Sequence, residues 1–574
     1  MPRFPKMFWL MAAIFIIAAF FRIWRIDAVP PGLYPDEAMN GNNALYALKT
    51  GDLQVFYPEN NGREGLFINI QALSIKIFGN EPWTLRLISA LFGIATIAGI
   101  FYLARELFKD KFLPENSNVG MNLKARDIIA LAAAFFMAVS FWHINFSRIG
   151  FRAIMAPFFL IWGIYFLLSS LNKTTTLNTA RAQAKIIIFA VLGGLFYGLG
   201  FYSYIAYRAA PLLALAVFLF YWLQNKEWPV RRKILLCAFC FLFSAVIVAA
   251  PLGIYFLKSP SDFFGRSSQI SVFSGEAPMK DFLINLGKTF GAFWFSGDAN
   301  ARHNLPGSPQ LWRPIGILFA LGLAAGVYSF AKSSAKSGFK MIYLLLWSWL
   351  IIFSLPVAFS SEGLPHALRS ILMLPAAIIF SAYGFWLIIS SSVSWLEKNA
   401  DFFPENSGLK ELRRIKFEFF LLAAVFLGAH IAAAYSNYFT LWVRLPETYF
   451  AFSVPYTDMA KWLNNQSKEL PKYVIVNADG VLVSSPDDKK IRPLPMPSQT
   501  LMFLTDSWPA ENQKKQNLNY VLPDELAAID CSQACAIIML ESDSSLKSEL
   551  KQNIDGLKLT VKPGFPVYYK NAEF

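Results

Sequence analysis

Charge is scarce in this sequence of 574 residues. Asp, Glu, Lys and Arg together make up 16% of the chain, whereas 55% is hydrophobic and 16% is aromatic. Soluble domains carry about 25% charged residues, so this balance excludes an ordinary soluble protein and predicts a polytopic membrane protein. The net charge of +14 does not indicate a nucleic-acid partner, because the basic excess lies before residue 437, in the apolar part of the chain.

Nucleotide-binding and metal-binding motifs are also missing. No glycine-rich phosphate loop follows the strand-like stretch 472–480, so a nucleotide-binding fold is not expected. The four histidines form no H-x-x-x-H pair, and no Cys/His set has the spacing of a zinc site. The sequence therefore demands no cofactor, although Glu64 and His303 are candidates for a divalent metal if their loops meet.

Only four cysteines are present, and they fall into two close pairs. Cys237 and Cys240 lie in an apolar run, where we expect them to pack as small hydrophobic residues. Cys531 and Cys535 lie in the more polar C-terminal part. They either form a disulfide in an oxidising space outside the cytoplasm or remain reduced, and the sequence leaves both alternatives open.

Long apolar runs predict about eleven transmembrane helices. The first run follows Arg3 and Lys6, and it ends without a small-residue cleavage site, which indicates a retained helix rather than a removed signal peptide. The predicted spans are 7–25, 83–108, 127–142, 153–171, 186–204, 209–224, 234–256, 312–331, 341–360, 368–391 and 417–436. We therefore expect a helical membrane domain over 1–436.

Lysine and arginine are concentrated in alternate connections between these runs. By the positive-inside rule those connections and the N-terminus face the cytoplasm of a plasma-membrane protein. The long loops 26–82 and 257–311 and the tail after 436 then lie outside. In the tail, 437–574, strand-like stretches alternate with helical ones, which predicts a small extracytoplasmic α/β domain that acts as a lid or recognises the acceptor.

The first outside loop contains an acidic pair, Asp36 and Glu37, directly after Pro35. Prolines prevent an earlier helix start, so we expect a helix from Pro35 with both carboxylates in its first turn. A carboxylate at a fixed height above the bilayer suits catalysis on a lipid-linked substrate. The alternative is that the pair only stabilises the helix N-terminus.

The other outside loops hold basic, aromatic and imidazole side chains. Because arginine outside opposes the positive-inside trend, a lipid phosphate is a plausible ligand, the alternative being contact with bilayer headgroups. Tyrosines here either contact substrate or belong to an interfacial belt. The candidate substrate-binding residues are Arg148, Arg152, Tyr207, Arg208, Asp298, Arg302, His303, His366 and Arg369.

Taken together, YPDEA, FSRIGFRA, GLGFYSYIAYRAAP and GDANARHNLPG resemble the GT-C superfamily of polyprenyl-phosphate-dependent glycosyltransferases. The resemblance is to the bacterial branch related to protein O-mannosyltransferases and lipid A aminoarabinose transferases, and it covers about residues 7–436. It implies that Asp36 is the first-loop catalytic acid and that arginines line the donor phosphate site. The tandem histidines of the protein O-mannosyltransferases are missing, which puts a protein acceptor in doubt.

The expected function is transfer of a sugar from a polyprenyl phosphate to an extracytoplasmic glycan, lipid or protein, with inversion. The candidate catalytic residues are Asp36, as the base for the acceptor hydroxyl, and Glu37, as an orienting or second acid. The partners are then the lipid-linked donor, the membrane and the acceptor. A lipid flippase or transporter is the alternative from another class, but a carrier would place ionisable groups near the middle of the membrane and often shows repeats. A structural or receptor role is the remaining alternative.

Overall fold

The structure is a computed structural model that describes residues 6–109, 124–174, 180–269, 271–332, 338–398, 408–485, 492–561 and 564–572. Parts of the predicted cytoplasmic connections, at 110–123, 175–179, 333–337 and 399–407, lie outside the described residues. Helices dominate the chain up to residue 464, and a small sheet region follows. The predicted helical membrane protein with a C-terminal α/β region is therefore confirmed.

The first sixteen α-helices build the membrane part. They are α1 (Lys6–Ile23), α2 (Pro35–Thr50), α3 (Gly65–Phe78), α4 (Pro82–Leu107), α5 (Ala125–Val139), α6 (Phe141–Phe146), α7 (Met155–Leu171), α8 (Ala180–Leu199), α9 (Ala210–Gln224), α10 (Trp228–Lys258), α11 (Pro260–Gln269), α12 (Pro278–Gly291), α13 (Arg313–Lys332), α14 (Gly338–Ala358), α15 (Leu374–Lys398) and α16 (Gly408–Tyr435). Within the described residues, ten are long and apolar enough to cross a membrane: α1, α4, α7 to α10 and α13 to α16.

The third predicted span, 127–142, is the one without a long helix. It corresponds to α5, which is only 15 residues long. At 1.5 Å per residue it covers about 22 Å, less than the roughly 30 Å of a bilayer core. Ser140 has an extended backbone, and its side chain caps α6, so the helix cannot continue. Nearly all of α5 is buried among α1, α4 and α15, and Arg22 at the end of α1 donates to the carbonyls of Met137 and Ala138 at the end of α5. The short helix therefore returns the chain to the end of the bundle where α1 ends, and it serves as the eleventh crossing inside a protein surround.

The loop between α1 and α4 contains two helices, and the first of them, α2, begins where the sequence predicts. Pro35 is the first residue of α2, and Asp36 and Glu37 lie in its first turn. Between α2 and α3 runs a hairpin of β1 (Phe56–Tyr57) and β2 (Arg63–Glu64). Its turn contains three residues with positive φ, the sequence Asn60-Asn61-Gly62, which are residue types that tolerate this conformation.

After α16 the chain continues through a π-helical and a 3₁₀ turn, so the last span reaches Arg444 rather than the predicted 436. The sheet region follows, with α17 (Pro446–Ala451), α18 (Val454–Asn464), β3 (Lys472–Ile475), β4 (Leu482–Val483), β5 (Leu494–Pro495), α19 (Ser498–Leu504), α20 (Ala510–Gln516), β6 (Leu518–Val521), β7 (Cys535–Met539), α21 (Ser544–Asn553), β8 (Lys558–Thr560) and β9 (Val567–Lys570). Five strands form one sheet in the order β6-β3-β7-β9-β8, with parallel β6, β3 and β7. Cys531 and Cys535 form a disulfide.

The sheet region packs directly on α2. The Leu33 amide donates to Thr457 Oγ1 at 3.0 Å, and Thr500 Oγ1 donates to the Leu33 carbonyl at 3.0 Å. The glycine at position 32 has φ +63°, and a Cβ there would lie 2.4 Å from the Phe452 carbonyl oxygen. Only glycine therefore permits this approach. The C-terminal region thus fixes the start of the helix that carries the acidic pair.

Candidate active site

A cavity of about 200 Å³ opens where the first loop, α11 and the three connections before α7, α9 and α15 meet. We call this end of the helical bundle the loop face. Most of the ionisable side chains that line the cavity come from loops or helix ends. They are Asp36, Arg63, Glu64, Arg152, Arg208, Asp262, His366 and Arg369. Four guanidinium groups against three carboxylates give the lining an excess of positive charge, which suits an anionic ligand.

Asp36 faces this cavity from the first turn of α2. Its side chain is half-buried, and Oδ1 accepts a hydrogen bond from Asn60 Nδ2 at 2.9 Å. The hairpin turn places Asn60 there, since the turn folds back over the N-terminus of α2. Burial, and after it the negative charge of Asp36, raises the pKa of the neighbouring Tyr34 to about 12. Tyr34 therefore stays a neutral hydrogen-bond donor at neutral pH.

Glu37 points away from the cavity. It is fully buried and forms a bidentate ion pair with Arg86, at 3.0 Å to Nε and 3.2 Å to Nη2. The Gly150 amide also donates to Glu37 Oε2 at 2.7 Å. Arg86 in turn donates to the carbonyls of Pro30 and Gly32. Glu37 therefore joins α2, α4 and the chain before α7, and it is not positioned to contact a ligand in the cavity.

Arg148, a predicted phosphate-binding residue, does not line this cavity. It is fully buried and donates to the backbone carbonyls of Phe21, Trp24 and Val29 at 3.0, 2.7 and 2.8 Å. Carbonyls at the end of a helix have no partner within the helix. Arg148 satisfies these groups at the end of α1 and in the turn that follows.

Arg152 and Arg208, two of the predicted phosphate-binding residues, line the cavity, and each is held by a neighbour. Arg152 Nε donates to Glu64 Oε2 at 2.6 Å, so Glu64 is paired with an arginine rather than with His303. Arg208 Nη1 donates to the Phe263 carbonyl at 2.6 Å. The Cζ atom of Arg208 also lies over the Phe263 ring, 4.1 Å from the ring centroid. These contacts fix both guanidinium groups at the cavity wall.

The two later loops meet at Asp298. Its Oδ2 accepts from His303 Nδ1 at 3.0 Å and from the Ala367 amide at 2.9 Å. His303 stacks on His366, with ring centroids 4.8 Å apart. Burial lowers the pKa of His303, and the carboxylate of Asp298 opposes that shift. Of this group only His366 lines the cavity, together with Arg369, which donates to the Glu362 carbonyl at 2.9 Å.

Two further candidates do not line the cavity. The guanidinium of Arg302 lies 4.1 Å from the centroid of the Tyr34 ring, at the start of α2. Tyr207 is fully buried against Tyr197 and Phe201, and its hydroxyl has no hydrogen-bond partner among the described residues. Arg302 thus supports the wall behind Asp36, whereas Tyr207 packs in the helical core.

The sequence reasoning missed Arg63, which is fully buried at the cavity. Arg63 donates to Asn40 Oδ1 at 2.9 Å and to Asn43 Oδ1 at 2.6 Å, so it is anchored on α2 beside Asp36. A signal was present, because the polar run NNGRE between two apolar stretches is typical of a hairpin turn. Asp262, at the start of α11, was also missed, because no comparable local pattern marks it as a site residue.

The fold is similar to that of known glycosyltransferases. ArnT from Cupriavidus metallidurans bound to undecaprenyl phosphate superposes with a TM-score of 0.56 at 13% identity, over 99% of each chain. Its apo structure gives 0.55 at 13% identity, over 98% of this chain and 97% of ArnT. The oligosaccharyltransferase AglB from Archaeoglobus fulgidus, in complex with an inhibitory peptide and a dolichol-phosphate, gives 0.50 at 14% identity, over 99% of this chain and 74% of AglB.

Sequence comparison gives a shorter match. Residues 66–112 match the family described as dolichyl-phosphate-mannose-protein mannosyltransferase. No curated protein matches the sequence. The matched segment covers α3 and α4, which follow the hairpin that borders the cavity. The GT-C resemblance predicted from the sequence is therefore confirmed at the level of the fold.

Proposed function

We propose that this protein is a glycosyltransferase that takes a sugar from a polyprenyl-phosphate donor and transfers it to a glycan, lipid or protein acceptor. The observation that carries the proposal is the cavity itself. A carboxylate without an ion-pair partner among the described residues, Asp36, faces a pocket rich in guanidinium groups at the loop face of a GT-C-like fold. The structural relative ArnT was solved with undecaprenyl phosphate, which supports a donor of this class.

The guanidinium groups suit the leaving group. A sugar on a polyprenyl phosphate needs no further activation, because the phosphate departs readily once cations stabilise its growing charge. Arg152, Arg208 and Arg369 line the cavity and are held in place by their neighbours. Because they are already in position, little reorganisation of these side chains is needed when negative charge develops on the phosphate. We assign them to the donor phosphate, with Arg63 closer to Asp36.

Asp36 is our candidate general base. Its carboxylate would accept the proton of the acceptor hydroxyl as that oxygen attacks the anomeric carbon, while the polyprenyl phosphate leaves from the opposite face. A single displacement of this kind inverts the anomeric centre. The Asn60 amide holds one carboxylate oxygen, and the other is left for the acceptor. Glu37 then acts through Arg86, by fixing the helix that carries Asp36.

We propose that the loop face is extracytoplasmic in a plasma-membrane protein whose N-terminus is cytoplasmic. The arrangement of lysine and arginine supports this orientation, and so does the Cys531–Cys535 disulfide, since disulfides persist in oxidising compartments. A reporter that is active only in the cytoplasm should be silent when fused to the C-terminus and active when fused after Lys340. An active C-terminal fusion would reverse the proposed orientation.

The function is tested most directly with a panel of labelled polyprenyl-phosphate sugars. Purified protein in nanodiscs should release polyprenyl phosphate from at least one donor in the presence of envelope acceptors, and it should release none from nucleotide sugars. Heat-treated protein serves as the control for spontaneous hydrolysis. If donors crossed a liposome bilayer without bond cleavage, the transporter alternative would replace this proposal.

A further inference from the structure

A second, smaller cavity lies elsewhere at the loop face. Its volume is about 50 Å³, and its walls are the end of α5, the loop before α13, the start of α13 and the last turns of α16. None of the residues that line it also lines the candidate active site. Because the ends of spanning helices mark the edges of the apolar bilayer core, this cavity lies near the depth at which lipid heads begin.

Three buried polar atoms of the lining residues have no hydrogen-bond partner among the described residues. They are Nε2 and Oε1 of Gln310 and Nδ1 of His430, and both side chains are only 4% exposed. Since both terminal atoms of the Gln310 amide are unpartnered, it does not matter which of them is the oxygen. A buried polar group without a partner is unfavourable, so the wall offers a donor and an acceptor to a ligand.

The groups that carry these atoms are held in place. The His430 imidazole stacks on Trp312, with ring centroids 4.6 Å apart and planes 14° from parallel. The backbone amide of Gln310 donates to the Ala292 carbonyl at 2.8 Å. Asn437 also lines the cavity, in the π-helical stretch Ser436–Leu441 that directly follows α16. Single π-helical turns within longer helices are frequent at functional sites.

The chemistry of the lining selects an uncharged ligand. Among the described residues, none that lines this cavity is Asp, Glu, Lys or Arg. A phosphate or an ammonium group would be buried here without a counter-charge, which is costly. A hydroxyl group both donates and accepts, so it matches Gln310 and His430. One water molecule needs about 10–15 Å³ of such space, so the cavity has room for a head of several atoms.

The wall that α16 contributes adjoins the lipid-facing side of the bundle. Phe417, Leu421 and Val425 are more than half exposed, and they form a row at four-residue spacing that leads along the helix to Ala433. Ala433 lines the cavity and is half-buried. Because its side chain is short, a chain lying on this row meets little obstruction at the cavity.

We propose that this cavity binds the hydroxyl head of one neutral glycerolipid of the diacylglycerol class, whose acyl chains lie along the exposed row of α16. Gln310 and His430 supply the hydrogen bonds to the hydroxyl, and the absence of charged lining residues among those described excludes phospholipid heads. This inference concerns a second lipid site, and it holds or fails independently of the transfer reaction.

The test titrates dioleoylglycerol into the full-length protein in detergent and follows binding by native mass spectrometry. We expect one dioleoylglycerol to be retained per chain. Gln310→Leu should weaken this binding about tenfold, since it removes both amide atoms. His430→Phe keeps a ring against Trp312 and should weaken it about fivefold. Gln224→Leu is the matched control, because Gln224 also has an unpartnered buried Nε2 but lies at the end of α9, outside this cavity.

Two competitors separate the possible ligands. Dioleoylphosphatidylglycerol has the same acyl chains and a phosphate, and glycerol has the hydroxyls without the chains. Neither should displace dioleoylglycerol at equal concentration. Displacement by the phospholipid would overturn the selection for a neutral head, and displacement by glycerol would assign the cavity to a soluble polyol instead of a lipid.

The variants decide whether the lipid occupies this cavity. Equal affinity of Gln310→Leu and Gln224→Leu for dioleoylglycerol would overturn the inference, because the lipid would then bind only to the outer surface of the helices. Replacing an unpartnered buried amide with an apolar side chain should not lower the thermal unfolding midpoint. Loss of binding in Gln310→Leu is therefore separable from loss of folding. If Gln310→Leu fails to fold, His430→Phe takes its place in the comparison with Gln224→Leu.

Discussion

Asp36→Asn should leave the protein folded and remove almost all sugar transfer. Asparagine has nearly the same shape, and its amide oxygen can still accept the hydrogen bond from Asn60. It cannot take a proton from an acceptor hydroxyl, and a positioned general base typically contributes 10²–10⁴-fold in rate. We therefore expect turnover, measured as release of polyprenyl phosphate, to fall by about 10³-fold.

Asp262→Asn is the matched control for this change. Asp262 lines the same cavity, but its Oδ2 already accepts a hydrogen bond from Tyr255 Oη at 2.7 Å, and it stands on α11 rather than α2. The control should keep most of the turnover. Equal losses in both variants would mean that the negative charge of the cavity matters rather than one base. Near-normal turnover in Asp36→Asn would mean that Asp36 is not the base and only stabilises the N-terminus of α2.

Glu37→Ala should destabilise the protein severely. The substitution leaves the guanidinium of Arg86 fully buried without its counter-charge, and it removes the acceptor of the Gly150 amide. Breaking a buried ion pair by removing one partner costs about 3–5 kcal/mol. We expect a large fall in the thermal unfolding midpoint in detergent and a low yield of folded protein.

The comparison for Glu37 is Glu511→Ala, which removes another ion pair of α2. Lys49 and Glu511 meet at 3.3 Å, but both side chains are about half exposed, so water replaces the lost contact. That variant should unfold almost like the wild type. Replacing both buried partners, as in Glu37→Leu with Arg86→Met, should recover much of the stability. Equal stability of Glu37→Ala and Glu511→Ala would show that Glu37 is not structural and would return it to the catalytic candidates.

The helices could be predicted well from the sequence because their signals are local. A run of apolar residues long enough to span is visible without knowledge of its neighbours, and Pro35 marks the first residue of α2 in the sequence itself. The end of α5 was placed three residues too late, at 142 instead of Val139, for the same reason. The apolar run continues past Ser140, where the backbone becomes extended and the side chain caps α6.

The candidate site could be predicted only in part, because the residues that a buried side chain contacts can lie far away in the sequence. Arg152, Arg208 and Arg369 stood out as cations against the topological bias, and each lines the cavity. Arg148 carried the same signal, yet it binds carbonyls more than 100 residues away in the chain. The pairing of Glu37 with Arg86 spans 49 residues, and no local pattern distinguishes it from an exposed acidic pair.

Because the sheet region packs on α2, the start of α2 can be fixed only after the C-terminal region has been synthesised. The hydrogen bond from Leu33 to Thr457 joins residues 424 positions apart. At 5–20 residues per second, the ribosome needs on the order of 20 to 85 s to reach Thr457 after it has passed Leu33. The loop that carries Asp36 is therefore among the first parts of the chain to be synthesised and among the last to be fixed, so we expect a nascent chain to stay inactive until its C-terminal region has folded.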